Sequence, residues 1–124
     1  MVIDTGIFIE HLRAKNKLET VLAKIPDDTL LCVSSVTLFE LYSGATSPQK
    51  IEDVKRITAN LIHLSFSADV AEEAANIYRQ LRAVNQLIDM RDIFIAATAV
   101  ANELPLLTFN RKHFDRISGL RLME

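Results

Sequence analysis

Three acidic residues stand at positions in the chain where their carboxylates could bind one metal ion. Asp4 follows the strand-like pair Val2 and Ile3, Glu40 lies within a predicted helix, and Asp92 stands at the entrance to an apolar helix. Carboxylates that converge repel one another, which raises their pKa values unless a cation neutralises them. Oxygen ligands without histidine or cysteine select hard cations such as Mg²⁺ or Mn²⁺. These acids therefore predict a divalent metal site, provided that the fold brings them together.

The position of Asp92 admits two interpretations. The stretch 93–101 is apolar on every face of a helix, which is typical of a buried helix. An ionised carboxylate at the mouth of such a helix needs hydrogen bonds, an ion pair or a metal, because burying it without a partner is costly. Asp89 could instead cap this helix, with Asp92 completing a capping box and Arg91 forming an ion pair. The sequence leaves both interpretations open.

Glu40 also has a structural and a functional interpretation. It lies one helical turn from Val36 and from Gly44, so it shares their side of the helix instead of a wholly solvated one. The small residues at 43–45 leave room for a ligand to approach. An ordinary glutamate at the edge of an amphipathic helix would show the same pattern, so Glu40 becomes a site residue only if the other acids converge on it.

Alternating strands and helices must position these side chains. The pattern predicts strands at 1–4, 29–33, 62–64 and 105–108, and helices at 5–13, 18–25, 35–42, 48–61 and 67–84. A further helix has Asp92 at its entrance and ends at 102–103. A final edge strand is predicted at 117–122. Such alternation gives a parallel sheet covered on both faces, so the predicted fold class is α/β with four to five mainly parallel strands. Ligands bind at the carboxyl ends of these strands, where Asp4 and Asn110 lie.

The composition describes one ordinary globular domain. The 124 residues are 49% hydrophobic and 24% charged, so we expect a single domain over residues 1–124. The formal net charge of −2 argues against a protein that coats nucleic acid non-specifically, but it does not exclude a nuclease. No apolar run could span a bilayer, and no basic-then-apolar leader opens the chain. We therefore expect a cytoplasmic protein without a membrane partner.

Cysteine and histidine usage argues against a structural zinc site. The single cysteine, Cys32, lies in an apolar run and is expected to be a small buried hydrophobic residue. The three histidines, His11, His63 and His113, show no metal-ligand spacing to one another or to Cys32. The predicted metal site therefore depends on carboxylates.

Four segments of the sequence carry a family resemblance. They read VIDTGIFIE, SSVTLFELYSGA, DIFIAATAVANELPLLTFN and KHFDRISGLRL, and together they span nearly the whole chain. In order and spacing they are similar to PIN-domain proteins of the bacterial VapC toxin type. The resemblance implies a PIN-like three-layer fold and a Mg²⁺- or Mn²⁺-dependent endoribonuclease, the toxin of a type II toxin–antitoxin pair. It also implies RNA as substrate, often tRNA or another structured RNA, with a cognate VapB-like antitoxin and a homodimer.

The resemblance implies a role for each matching position. The implied residues are the metal-binding catalytic acids Asp4, Glu40 and Asp92, a fourth catalytic position at Asn110, and supporting threonines at Thr5 and Thr108. Two positions depart from the family pattern. Gly6 stands where the family often has Asn or Ser, and Asn110 stands where it often has Asp. The missing fourth carboxylate favours one bound metal, with a second recruited by the substrate.

Basic residues outside the acidic positions are candidates for phosphate contacts. They are Lys15, Lys17, Arg79, Arg82, Arg111, Lys112 and Arg116. Such contacts would act on the affinity for RNA and its salt dependence, and not on which base is recognised. An ordinary solvated surface would contain similar residues.

Two other protein classes that place an acid after the first strand do not fit. A haloacid-dehalogenase-like phosphatase needs a second Asp two residues later, and Gly6 occupies that position. A receiver-type signalling domain needs paired acids after the first strand, whereas the partners of Asp4 lie on helices. The remaining alternative is a catalytically inactive PIN-like RNA- or protein-binding module. In a toxin, Phe8, Leu12 and Val21 on the first two helices could receive an antitoxin helix, or they could pack the core.

Overall fold

The centre of the fold is a four-stranded parallel sheet. The computed structural model describes residues 1–124. Its strands are β1 (Val2–Ile3), β2 (Cys32–Ser34), β3 (Ile62–Leu64) and β4 (Leu106–Leu107), in the spatial order β3-β2-β1-β4. All three pairings are parallel. The carboxyl ends of β2, β1 and β4 are therefore neighbours, which is the condition that the predicted acidic site requires.

Seven α-helices surround this sheet. They are α1 (Thr5–Arg13), α2 (Val21–Lys24), α3 (Ser35–Ser43), α4 (Pro48–Thr58), α5 (Ala68–Ala83), α6 (Met90–Ala101) and α7 (Arg111–Phe114). The predicted second helix at 18–25 is interrupted, because Thr20 accepts the amide of Ala23 and so begins a new helix after a 3-10 turn. None of these helices is both long enough and apolar enough to cross a membrane.

The sheet separates two hydrophobic cores. Successive strand residues point to opposite faces, so Val2 and Cys32 join one core while Ile3 and Val33 join the other. The first core contains the apolar faces of α5, α6 and α7. The second contains those of α1, α3 and α4, including the fully buried Phe8. The predicted three-layer α/β fold is confirmed, whereas Phe8 belongs to the core and offers no surface to a partner.

The helix α6 is the buried helix that the sequence predicts. Ile93, Ala96, Ala97 and Ala99 have no exposed surface, and α6 packs along α5 over much of its length. Small alanines permit this close approach of two helix backbones. The first turn of α6 is consequently held in a fixed position at the edge of the sheet.

The predicted edge strand at 117–122 is wrong. Only Leu122 forms a parallel bridge, with Leu106. Gly119 adopts a φ of 84°, a left-handed conformation that turns the chain and interrupts any continuous pairing. The strands β2 and β4 are also shorter than predicted, because pairing begins at Cys32 and Leu106.

Candidate active site

Asp4 lies at the junction of three elements. It follows β1, and its Oδ1 accepts the Thr5 amide at 2.8 Å, so it caps α1. Its Oδ2 accepts the hydroxyl of Thr108, just after β4, at 2.6 Å. The residue is only 8% exposed. Asp4 is therefore held rigidly at the carboxyl end of the sheet, with Thr5 and Thr108 in contact with it.

Asp92 lies in the first turn of α6, but its side chain does not cap that helix. Asp89 is the N-cap, and its Oδ1 accepts the Arg91 amide at 2.9 Å. A capping box would require Asp92 to bond the amide of Asp89, and no such bond forms. Asp92 Oδ2 instead lies 3.6 Å from Nδ1 of His113. The capping prediction is thus right for Asp89, and the carboxylate of Asp92 faces the site.

Asp4 and Asp92 form a pair of carboxylates with little compensating positive charge. Burial raises the pKa of Asp4, although the Thr108 hydroxyl and the Thr5 amide oppose the effect. Burial, followed by the negative charge of Asp4, raises the pKa of Asp92 against the opposing effect of His113. No lysine or arginine forms a salt bridge with either carboxylate. A divalent cation would relieve both the burial of charge and the mutual repulsion.

Glu40 lies beside this pair and is held by two contacts of its own. Its Oε1 accepts the Thr5 hydroxyl at 2.9 Å, and its Oε2 lies 3.2 Å from Nη1 of Arg91. Thr5 also shares a hydrogen bond with Thr37, at 2.9 Å. The Glu40 side chain is only 19% exposed, so it is not an ordinary solvated glutamate.

The three predicted metal ligands are neighbours without forming one closed set. As the side chains are arranged, no three acidic, histidine or cysteine side chains are close enough together to hold a metal ion. Both carboxylate oxygens of Glu40 have other partners, the Thr5 hydroxyl and Arg91. The structure therefore shows the Asp4–Asp92 pair, and the three-carboxylate set with Glu40 stays a prediction.

Asn110 reaches the acidic pair by its backbone through Thr108 and by its side chain through His113. The backbone amide of Asn110 donates to the Thr108 hydroxyl at 2.9 Å, which fixes the chain beyond β4. Its side-chain nitrogen lies 2.7 Å from Nδ1 of His113, the same atom that faces Asp92. The role of Asn110 as a fourth catalytic position stays a prediction.

Sequence reasoning missed one residue of this site, His113, and one contact of another, Arg91. His113 lies three residues after Asn110, a spacing that places both on one side of a helical turn, and that signal could have found it. The sequence offers Arg91 an ion pair with the neighbouring carboxylates, and Arg91 does pair with Asp89, at 3.2 Å. Its hydrogen bond to Glu40 joins residues that are 51 positions apart in the sequence, so no local pattern predicts it.

The predicted phosphate-binding residues are all exposed, but several already have partners. Lys17 donates to the carbonyls of His11 and Leu12 at the end of α1, each at 2.7 Å. Further contacts of this kind join Arg79 to Asn76, Arg111 to Met123, and Arg116 to Gln86. No side-chain hydrogen bond holds Lys15, Arg82 or Lys112. Their contact with phosphate stays a prediction.

Replacing Thr108 with valine should destabilise the protein by about 1–3 kcal/mol at neutral pH, because it leaves a buried carboxylate oxygen of Asp4 without its donor. The Asn110 amide would lose its acceptor as well. Since the Thr108 hydroxyl lowers the pKa of Asp4, its removal should raise that pKa further. The loss should shrink at acidic pH, where Asp4 is protonated. Urea denaturation at neutral and at acidic pH measures this loss of stability.

Thr58 provides a matched control for this substitution. It is also buried, and its hydroxyl donates to the Val54 carbonyl at 2.8 Å, within α4 and away from any carboxylate. Thr58→Val should cost on the order of 1 kcal/mol or less, equally at both pH values. If Thr108→Val behaved like Thr58→Val, the Thr108 hydroxyl would not be what stabilises ionised Asp4.

Comparison with known proteins identifies relatives over the full length of the chain. The PIN domain family model matches residues 1–120. The chain is 31% identical to Ribonuclease VapC1 of Methanocaldococcus jannaschii, covering 100% of this chain and 87% of that protein. It is 30% identical to the tRNA(fMet)-specific endonuclease VapC of Shigella flexneri, covering 97% and 93%. The crystal structure of DNA-bound VapBC from Salmonella typhimurium contains a chain with 26% identity and a TM-score of 0.88, over 98% of this chain and 95% of that one.

Proposed function

The chain belongs to the PIN domain family, and we propose that it is a divalent-metal-dependent endoribonuclease, the toxin of a toxin–antitoxin pair. The observation that carries the proposal is the carboxylate pair at the carboxyl end of the sheet, the buried Asp4 and the partly buried Asp92, which lacks any lysine or arginine partner. Relatives of about one-third identity named as VapC ribonucleases support the same activity.

The side chains present fit Mg²⁺ or Mn²⁺ better than a softer metal. Asp4 and Asp92 offer carboxylate oxygens, and an oxygen that accepts one hydrogen bond keeps a lone pair for a cation. These two residues would hold the ion, and Glu40 would join them once its carboxylate leaves Arg91. When bound, the cation would supply positive charge for a phosphodiester and lower the pKa of a water molecule.

The remaining residues of the site position the substrate and move protons. Glu40 is suited to orient a water molecule and accept its proton, because the Thr5 hydroxyl fixes one of its oxygens. Arg91 is 58% exposed, so it can contact an RNA phosphate when Glu40 is released. Arg111 and Lys112, adjacent to Asn110, would contact flanking phosphates.

The partners follow from the same proposal. RNA would be the substrate, and the name of the Shigella flexneri relative favours tRNA or another structured RNA. A VapB-like antitoxin would bind this chain, as the VapBC complex from Salmonella typhimurium suggests. We also propose that the protein is a homodimer in the cytoplasm. Exposed apolar side chains such as Phe39, Leu87 and Met90 offer surface for a protein partner.

Cleavage of cellular RNA by the purified protein tests the proposed function. Cutting should occur with Mg²⁺ or Mn²⁺, stop in EDTA and return when the metal is restored in excess. Discrete fragments would indicate an endonuclease. A folded, antitoxin-free protein that retains RNA without cutting it under any of these conditions would instead favour the alternative of a catalytically inactive binding module.

A further inference from the structure

Phe109 is a large aromatic residue at the edge of the site that the proposed reaction does not use. It is 54% exposed, although it lies between two residues of the site, Thr108 and Asn110. Its backbone is fixed on both sides, since Thr108 bonds Asp4 and the Asn110 amide bonds Thr108. An exposed ring on a rigid backbone loses little conformational entropy when a ligand covers it.

The ring of Phe109 lies beside Gly6, at the start of α1. A Cβ atom added at Gly6 would lie 3.7 Å from Cδ2 of Phe109, which is ordinary van der Waals distance. Gly6 is two residues after Asp4, so the ring lies along the same turn that carries the catalytic carboxylate. A larger side chain at this position would reach towards the ring. Gly6 thus leaves the ring uncovered next to Asp4.

We propose that Phe109 is a stacking platform for one unpaired RNA base beside the scissile phosphate. The inference rests on the proposed ribonuclease function and adds how the substrate is held. Unpaired bases stack on aromatic side chains, while cations next to the ring hold the flanking phosphates. Arg111 and Lys112 follow Phe109 by two and three residues and supply that charge. An apolar protein segment would form no favourable contacts with the acidic and basic side chains next to the ring, so a nucleobase is the better occupant.

Binding of a short single-stranded RNA of mixed sequence, with 2-aminopurine placed at successive positions, tests the platform. The protein carries Asp92→Asn and the buffer contains EDTA, so that the RNA stays intact. Phe109→Leu keeps an apolar side chain but removes the ring, and should weaken binding roughly 5- to 100-fold. It should also abolish the quenching of 2-aminopurine fluorescence at one position. Phe109→Tyr keeps the ring and should retain both the affinity and the quenching.

Phe66 provides the matched control. It is 42% exposed and follows β3, at the opposite edge of the sheet from β4. Phe66→Leu should bind the RNA like the parent protein. Equal losses of RNA affinity in Phe66→Leu and Phe109→Leu would overturn the platform. Unchanged binding and quenching in Phe109→Leu would also overturn it. So would a loss of affinity and quenching in Phe109→Tyr.

Cleavage by the otherwise unaltered protein, measured in parallel, separates this inference from the proposed function. If that protein cuts RNA with metal while Phe109→Leu binds and quenches normally, the platform alone is wrong. If that protein does not cut, the ribonuclease proposal fails, and binding that depends on Phe109 would still support the platform.

Discussion

The Asp92→Asn protein should remain folded and lose about 1,000-fold in metal-dependent RNA cleavage, since a bound metal contributes several kcal/mol of transition-state stabilisation. Asparagine has nearly the same shape but no charge, and it offers one oxygen where aspartate offers two. Asp4 alone would then hold the cation poorly. Initial rates across a Mg²⁺ titration would distinguish a weaker metal affinity from a loss that persists at saturating metal.

The same substitution should stabilise the protein when metal is absent. Burial and Asp4 raise the pKa of Asp92 above its ordinary value of 3.8. In acid the folded carboxyl therefore keeps its proton after the unfolded chain has lost it. Stability falls as the pH rises through this range, and the full cost remains at neutral pH. Thermal unfolding in EDTA should show a higher melting temperature for Asp92→Asn at neutral pH, by roughly 3–6 °C if the gain is about 1 kcal/mol.

Asp69 offers a control with the same chemistry and a different location. It lies in the first turn of α5, it is exposed, and it forms no salt bridge. Asp69→Asn should cleave RNA normally and should gain no stability in EDTA. Adding Mg²⁺ should raise the melting temperature of the parent protein and of Asp69→Asn, but hardly that of Asp92→Asn. Full cleavage by Asp92→Asn would show that Asp92 is not needed for catalysis.

Most of the fold could be predicted because its signals are local. Ser34, Ser47 and Ser67 each accept an amide three residues later, and each immediately precedes a helix that the sequence predicts at nearly the same position. The all-round apolar pattern likewise predicts the burial of α6. The last predicted strand failed because weak alternation at 117–122 could not reveal that Gly119 turns the chain.

The candidate site could be predicted only in part. Asp4 and Asp92 stand where a strand ends and where a buried helix begins, which sequence pattern can indicate. The Glu40–Arg91 contact depends on how α3 and α6 pack, and no spacing along the chain specifies that distance. The contact of His113 with Asp92 depends in the same way on how α7 folds back over α6.

Phe114→Ala is the substitution for which we expect the largest loss of stability, about 3–5 kcal/mol. Phe114 is fully buried in the core that includes α5 and α6. The helix α7 has only four residues, so it cannot persist without an anchor of this kind. A domain of this size has a free energy of unfolding of roughly 5–15 kcal/mol, so much of the total would be lost. Urea denaturation followed by circular dichroism measures the change.

The milder substitution Phe114→Leu tests whether the packing of Phe114 also positions the residues of the site. The expected loss is on the order of 1 kcal/mol, which leaves the protein folded. Because α7 carries His113 and directly follows Asn110, weaker packing of Phe114 should still reduce cleavage. Leu81→Val is the matched control, since Leu81 is buried in the same core but lies on α5, which carries no proposed site acid. If both variants were equally destabilised and cleaved RNA equally well, Phe114 would act only on stability. A loss of cleavage in Phe114→Leu but not in Leu81→Val would show that the packing of Phe114 in the core positions the residues of α7 that face the site.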